Sequence, residues 1–230
     1  MQSSFQAKAK CAGCGNENTV NTYPSINVSS DPDLKAKVKD GSLFVWECPH
    51  CGHINLAVFQ TLYHDPEEKL MIWLLPEDNM DDGEKAALEK HMESLAGQIT
   101  ADNSGAMEGY TLRRVSDAGS LIEKVNIHDA GLDDATMEIC KYVTKMELAD
   151  KEQDKEKAGA IINADFKFYK MEGPDNDITL TYPSDGQICG VQIGFNVYED
   201  CSGILKRNPA SRPGAGFAKV DAKWLATVFR

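Results

Sequence analysis

Cys11-Ala-Gly-Cys14-Gly15 and Cys48-Pro-His-Cys51-Gly52 are the stretches whose reading decides how the N-terminal part of this chain folds. A C-x-x-C turn brings two sulfurs to one side of a tight bend, so two such turns can meet and offer the tetrahedral S4 environment that zinc favours. The glycine after each second cysteine can take a positive φ and lets backbone N–H groups aim at the thiolates, while Pro49 pre-sets the second turn. Between Cys14 and Cys48 lie 33 residues, room for a strand, a short helix and a returning strand. That is a zinc-ribbon-like layout, and it predicts one Zn2+ bound by Cys11, Cys14, Cys48 and Cys51. Four cysteines fill every position of a tetrahedral ion, so the predicted metal is structural, with no place left open for a reacting water. His50 and His53 flank the second turn and read as outer or solvent-facing residues. A redox C-x-x-C would stand once, at a helix start after a buried strand, and neither turn has that context.

Working outward, the region up to about Asp78 alternates short apolar runs with turn residues. Leu43 to Trp46, Ile54 to Tyr63 and Leu70 to Leu75 are rich in β-branched and aromatic residues and read as strands. Ser30 or Asp31 can cap a short helix over Asp33 to Lys39, which Gly41 ends. From about Asp81 to Lys157 the period is helical. Leu88, Met92, Leu95 and Ile99 form one stripe, and Leu132, Ala135, Ile139, Val143 and Met146 form another. Tyr110 to Val115 reads as a strand between them, Leu121, Ile122 and Val125 as a short helix, and Asp150 to Lys157 as a solvated helix end or linker. A domain boundary is expected near Ala158. Beyond it, Ala164, Phe166 and Phe168, then Ile178, Leu180 and Tyr182, then Cys189 through Val197 alternate with period two, which predicts an antiparallel sheet. Asp221 caps a terminal helix with Trp224, Leu225, Val228 and Phe229 on one face. The expected fold class is α+β: a zinc-ribbon-like β unit at about 5–78 and a helical region at about 81–157 forming one domain over 1–157, then a β-rich region over 158–230 closed by a helix.

Composition narrows the function classes. The chain has 230 residues, 42% hydrophobic and 26% charged, which is ordinary globular usage. Its net charge is -12 at pH 7, yet residues 1–60 hold five basic and five acidic side chains. Since an S4 zinc cluster adds a net charge of about -2, the metal-binding end is negative, which argues against nucleic acid as a partner. The first ten residues lack the apolar core of a signal peptide, and no apolar run reaches the ~18 residues that a membrane span needs. Seven cysteines without a secretory leader read as metal ligands or buried thiols, which places the protein in the cytoplasm.

Other constellations read more simply as structure. Tyr63-His64-Asp65 closes an apolar strand before Pro66. Adjacent strand residues face opposite ways, so Asp65 is expected to cap a turn and not to join His64 in acid–base work. Asp129, Asp133 and Asp134 surround Gly131 ahead of a helix stripe and suit the positive end of a helix dipole. Cys140 and Cys189 read as small apolar residues, and Cys201 as a turn residue with nothing to activate it. No nucleophile–base pair or phosphate-binding loop appears, so no catalytic residue is assigned.

The Cys-Pro-x-Cys turn, Asp31-Pro32-Asp33-Leu34, Leu62-Tyr63-His64-Asp65 and Met71-Ile72-Trp73-Leu74-Leu75-Pro76 resemble the bacterial CpXC-domain family. Leu121-Ile122-Glu123-Lys124 and Asp129-Ala130-Gly131-Leu132-Asp133-Asp134 are similar to that family's continuation. The resemblance runs over roughly 5–150, is dense over 11–76, and implies the same four metal ligands in a bacterial or archaeal intracellular protein. The first pair departs from it, with Ala-Gly in place of a proline between Cys11 and Cys14. The expected function is a zinc-binding module that acts by binding a protein partner, without catalysis. The alternatives are a nucleic-acid-binding zinc ribbon, with Lys35, Lys37 and Lys39 along one edge, and an enzyme whose site lies outside the cluster.

Overall fold

A computed structural model describes residues 4–77, 80–101 and 105–229. Asp78, the expected end of the first region, lies outside the described residues. The fold is α+β: N-terminal strands, a helical middle, then a three-stranded antiparallel sheet and a terminal helix. It divides into two compact units, residues 1–122 with 214–219 and residues 123–213 with 220–230. In sequence the first unit's main segment ends at Ile122, inside a helix.

In the first unit, two short hairpins carry the cysteine turns. β1 (Phe5–Lys10) pairs antiparallel with β2 (Glu17–Thr22), and the pair Lys10↔Glu17 brackets the first turn. Between the hairpins lie β3 (Ser25–Asn27) and helix α1 (Pro32–Lys39). Pro32 starts α1, where its missing N–H costs nothing, and Leu34 and Val38, four apart, form its buried face. Gly41 then takes φ 78°, a conformation that ends the helix at little cost only for glycine. Leu43 and Phe44, expected in a strand, sit instead in a 3-10 turn over Ser42–Phe44; β4 (Val45–Glu47) follows and pairs with β5 (Ile54–Leu56).

The expected strand over Ile54 to Tyr63 is two strands in different sheets. β5 belongs to the hairpin. β6 (Thr61–Asp65) belongs to a four-stranded mixed sheet in the order β3-β6-β7-β8, with β7 at Leu70–Leu74 and β8 at Thr111–Val115. Ile26, Tyr63 and Ile72 align across this sheet, and all three are fully buried. Helix α2 (Asp82–Ala101) links β7 to β8, with Met92 as its buried residue. The returning segment 214–219 adds to the free edge of β8, where Arg114 N–H donates to the Ala218 carbonyl at 3.1 Å. Gly216 has φ 83°, and a Cβ there would lie 2.5 Å from that of Ala96, so only glycine fits.

Helix α3 (Ala118–Asp129) leads to the second unit, whose spine is α4 (Asp134–Lys151). Ala135 and Ile139 of the predicted stripe are buried, whereas Val143 and Met146 are exposed. The charged stretch at 150–157 is a break between helices: α5 (Lys155–Asn163) begins there, with Asp154 accepting from Glu156 N–H at 2.8 Å. β9 (Lys167–Glu172), β10 (Asp177–Ser184) and β11 (Gln187–Ile193) form an antiparallel meander. Asp185 and Gly186, both at positive φ, make the two-residue β10–β11 turn. The expected strand through Val197 stops at Ile193. Phe195 opens helix α6 (Phe195–Arg207), because Phe195, Tyr198, Cys201 and Leu205 recur at helical spacing and Cys201 and Leu205 are buried. Helix α7 (Ala222–Val228) starts at Asp221, which accepts from Lys223 and Trp224 N–H at 2.9 Å each.

This second unit buries charge. Lys124 Nζ donates to Asp134 at 2.7 Å and to the Val220 carbonyl at 2.9 Å. Lys141 Nζ lies 3.0 Å from Glu123 and 2.6 Å from Glu138, and Glu123 also accepts from Phe168 N–H at 2.7 Å. Lys124, Asp134, Glu123, Glu138 and Lys141 are all buried.

Candidate metal centre

Each hairpin presents its cysteines in the same way. Gly15 N–H donates to the Cys11 carbonyl and Gly52 N–H to the Cys48 carbonyl, both at 2.9 Å. Cys11 N–H donates to Asn16 O and Cys48 N–H to His53 O, again both at 2.9 Å. Gly15 and Gly52 have φ 75° and 69°, the left-handed backbone that the repeated Cys-Gly pattern predicts. In each turn the first cysteine is buried and the second exposed.

The two turns face each other. Cys11 Sγ lies 3.7 Å from Cys51 Sγ, and Cys14 Sγ 3.7 Å from Cys48 Sγ. All four sulfurs lie within 4.8 Å of one another, so they could hold a metal ion, and no other group of three or more such ligands occurs among the described residues. His50 and His53 are exposed and outside the group. His53 instead walls the first turn: a Cβ at Gly13 would lie 2.9 Å from the Cβ and Cγ of His53, which explains glycine at the third position of Cys-Ala-Gly-Cys.

Donors converge on the sulfurs. Gly13 N–H points at Cys11 Sγ at 3.3 Å, Asn55 Nδ2 at Cys11 Sγ at 3.6 Å, Asn16 Nδ2 at Cys14 Sγ at 3.4 Å and Asn18 Nδ2 at Cys48 Sγ at 3.7 Å. Asn55 is buried, and it also accepts from Ala12 N–H at 2.8 Å and donates to His53 O at 2.9 Å, tying one turn to the other. These asparagines escape sequence reasoning, because their relation to the cysteines exists only once the hairpins meet.

The sulfurs differ electrostatically. Burial opposes ionisation of Cys11, but the N–H groups of Cys14 and Gly13, the Asn55 amide and Cys48 outweigh it and lower its thiol to about 6. At Cys51 the His53 N–H favours the thiolate, but Cys14, burial, Cys11 and Cys48 together push it up to about 12. Four thiols this close resist ionising together, and a divalent cation at their centre removes that resistance. The donor set therefore fits a metal.

The other predicted residues fall elsewhere. Asp65 is buried, receiving Lys35 Nζ at 2.9 Å, Tyr63 Oη at 3.4 Å and Glu68 N–H at 3.4 Å, whereas His64 points to the opposite face and bonds Tyr110 Oη at 3.0 Å. Asp65 thus caps a turn, as expected. Asp133 caps α4 by accepting from Thr136 N–H at 3.0 Å. Asp134, read as an ordinary first-turn residue, is fully buried against Lys124, and Asp129 is exposed. Cys140 is buried in α4 and Cys189 half-buried in β11. Cys201 is not in a turn: it is buried in α6.

A family model described as CpXC protein matches residues 9–141, which include all four cysteines. Comparison with curated proteins and with solved structures gave no match. Among the described residues no helix is long and apolar enough to cross a membrane.

Proposed function

The chain belongs to the CpXC family, and from that premise we propose that it is a zinc-binding module whose single ion is structural and whose task is to bind another protein. The observation that carries this reading is the sulfur geometry. Four sulfurs ~2.3 Å from a central zinc stand about 3.8 Å apart, and two of the separations are 3.7 Å. Cys11, Cys14, Cys48 and Cys51 would hold Zn2+ and leave no position for water, so the ion would join the two hairpins without activating a substrate. A reducing, cytoplasmic setting suits four thiolates.

A protein partner is favoured by the surface beside the cluster. In the β4–β5 register Val45 faces Leu56 and Glu47 faces Ile54, placing these side chains on one face. Val45, Ile54 and Leu56 are 43%, 58% and 74% exposed. Exposed apolar residues grouped this way suit a protein contact. The nucleic-acid alternative loses part of its basic edge, since Lys35 is engaged by Asp65 at 2.9 Å.

Native mass measurement with metal analysis tests the zinc assignment. One zinc per chain is expected, and undiminished zinc in Cys48→Ser would overturn it. For the partner, a photo-crosslinking residue at position 56 should give discrete protein adducts in cells that Cys48→Ser abolishes. Retention of a labelled single strand at low salt, lost steeply as salt rises, would favour the nucleic-acid reading instead.

A further inference from the structure

The second unit leaves one edge of its sheet open. β11 lies outermost in the order β11-β10-β9, and the two-residue turn at Asp185 and Gly186 closes on the pair Ser184↔Gln187. In such a hairpin the closing pair and every second pair beyond it exchange hydrogen bonds across the strands. Gln187, Cys189, Val191 and Ile193 therefore bond β10, and Ile188, Gly190 and Gln192 turn their N–H and C=O groups outward. Those three residues are exposed, and among the described residues no backbone group outside the sheet bonds to them. We infer that β11 pairs antiparallel with β11 of a second copy of this chain, joining their sheets into one continuous sheet.

The two edges of this sheet are built differently. An exposed edge is ordinarily shielded by charge, proline or a bulge. β9 carries Lys167, Lys170 and Glu172, and its register against β10 shifts at Thr179/Leu180 so that Tyr169 is left without a partner in the ladder. β11 reads Gln-Ile-Cys-Gly-Val-Gln-Ile, with no charged residue, no proline and an unbroken register. Its Ile188 is 73% exposed. Gly190 sharpens the difference. It has no positive φ, and a Cβ there would meet nothing nearer than 4.0 Å, so the lone chain does not require glycine at this position. Glycine weakens a strand interior and often marks the close approach of another backbone.

The strand's own symmetry selects a second copy as the occupant. β11 spans Gln187–Ile193, and Gly190 is its midpoint. A two-fold axis at Gly190 aligns the strand with itself along its full length, setting Gly190 against Gly190, Ile188 against Gln192 and Cys189 against Val191 of the second copy. The outward groups of Gly190 then bond each other across the axis, and those of Ile188 bond Gln192 on either side of it. Val191 pairs with the buried Leu180 and Cys189 with Tyr182, so the pairing also extends the apolar face of the sheet. Although the chain carries a net charge of -12, no charged residue of β11 meets another in this register.

Position 190 lies on the axis and therefore supplies the test. A lysine there fits the lone chain, given the open space around the Cβ, yet it sets two like charges directly opposite each other in the pair. The full, metal-loaded chain should sediment as a dimer in analytical ultracentrifugation. Gly190→Lys should raise the dissociation midpoint of a dilution series by at least about tenfold, and Gly190→Glu should do the same. An equimolar mixture of the two variants should restore the dimer, because the axis sets each charge against its opposite; this rescue also shows that both variants are folded. A wild-type monomer throughout the dilution series would overturn the proposal and leave the edge to a different extended chain. So would a dimer that Gly190→Lys leaves intact, or a mixture of the two variants that stays monomeric.

Discussion

Both units bring ionisable groups into close contact, but they neutralise the charge from different sources. The first brings four cysteines within 4.8 Å of one another, an arrangement whose full ionisation calls for a cation from outside. The second buries Glu123, Asp134 and Glu138 with lysines of the same chain, Lys124 and Lys141. One unit's stability should therefore follow metal supply and the other's should not. The strands reinforce this contrast: β4 and β5 are three residues each, too short to persist as an isolated hairpin.

Metal removal should produce the largest difference. Structural zinc sites contribute on the order of 10 kcal/mol at neutral pH, so a strong chelator should abolish amide protection in β1, β2, β4 and β5 while β9 to β11 keep theirs, as hydrogen exchange would record. Equal protection before and after chelation would erase the contrast. Next in size is Asp134→Ala, which strands the buried Lys124 ammonium and should cost about 3–5 kcal/mol in denaturant unfolding. Zinc content should be unchanged, and a volume-matched Lys124→Met/Asp134→Leu double variant should recover most of the loss.

A titration separates the units further. Burial opposes ionisation of Glu123, but Lys141, Lys167, the Phe168 N–H and Lys124 outweigh it, so its carboxyl lies below 4.5. Burial likewise opposes charge on Lys141, and Glu123 and Glu138 outweigh it, so its ammonium persists above 10.5. A lowered carboxyl contributes stability above its unfolded pKa, lost as pH falls through the folded value; a raised lysine contributes below its unfolded pKa, lost as pH rises through the folded value. The second unit should accordingly lose stability below about pH 4.5 and above about pH 10.5. Glu138, pushed up by burial despite Lys141, partly offsets the acid loss. Melting temperature against pH would show this, and Glu123→Gln should flatten the acid limb.

Smaller effects refine the picture. Asn55→Ala removes a donor to Cys11 and should weaken zinc binding on the order of tenfold, about 1.4 kcal/mol, in competition with a chelating dye. Lys151→Ala breaks an exposed pair with Glu147 and should change stability by less than about 0.5 kcal/mol.

Legibility in the sequence followed how locally each feature is determined. The cysteine turns, α1 and the capping roles of Asp65 and Asp221 were readable because a few adjacent residues specify them. Residues 195–197 read as strand because Phe195 and Val197 continue the alternation of Cys189, Val191 and Ile193. The helical spacing of Phe195, Tyr198, Cys201 and Leu205 becomes visible only over a longer window. The buried ion pairs escaped because a charged helix residue ordinarily faces water, and nothing local marks Glu123 or Lys141 as exceptions. Asn55 resembled any polar strand residue until β4 and β5 turned it toward Cys11.

The return of residues 214–219 to the edge of β8 has a consequence for synthesis. A nascent chain that has released residues 9–141 contains every cysteine of the metal centre and all four strands of the first sheet, but not Ala218, which occupies that sheet's edge, nor Lys219, which pairs with Glu77 at 2.9 Å. The ribosome must deliver residues 214–219 before this edge can close. A fragment cut to the family match should thus expose an unpaired β8 and self-associate along it.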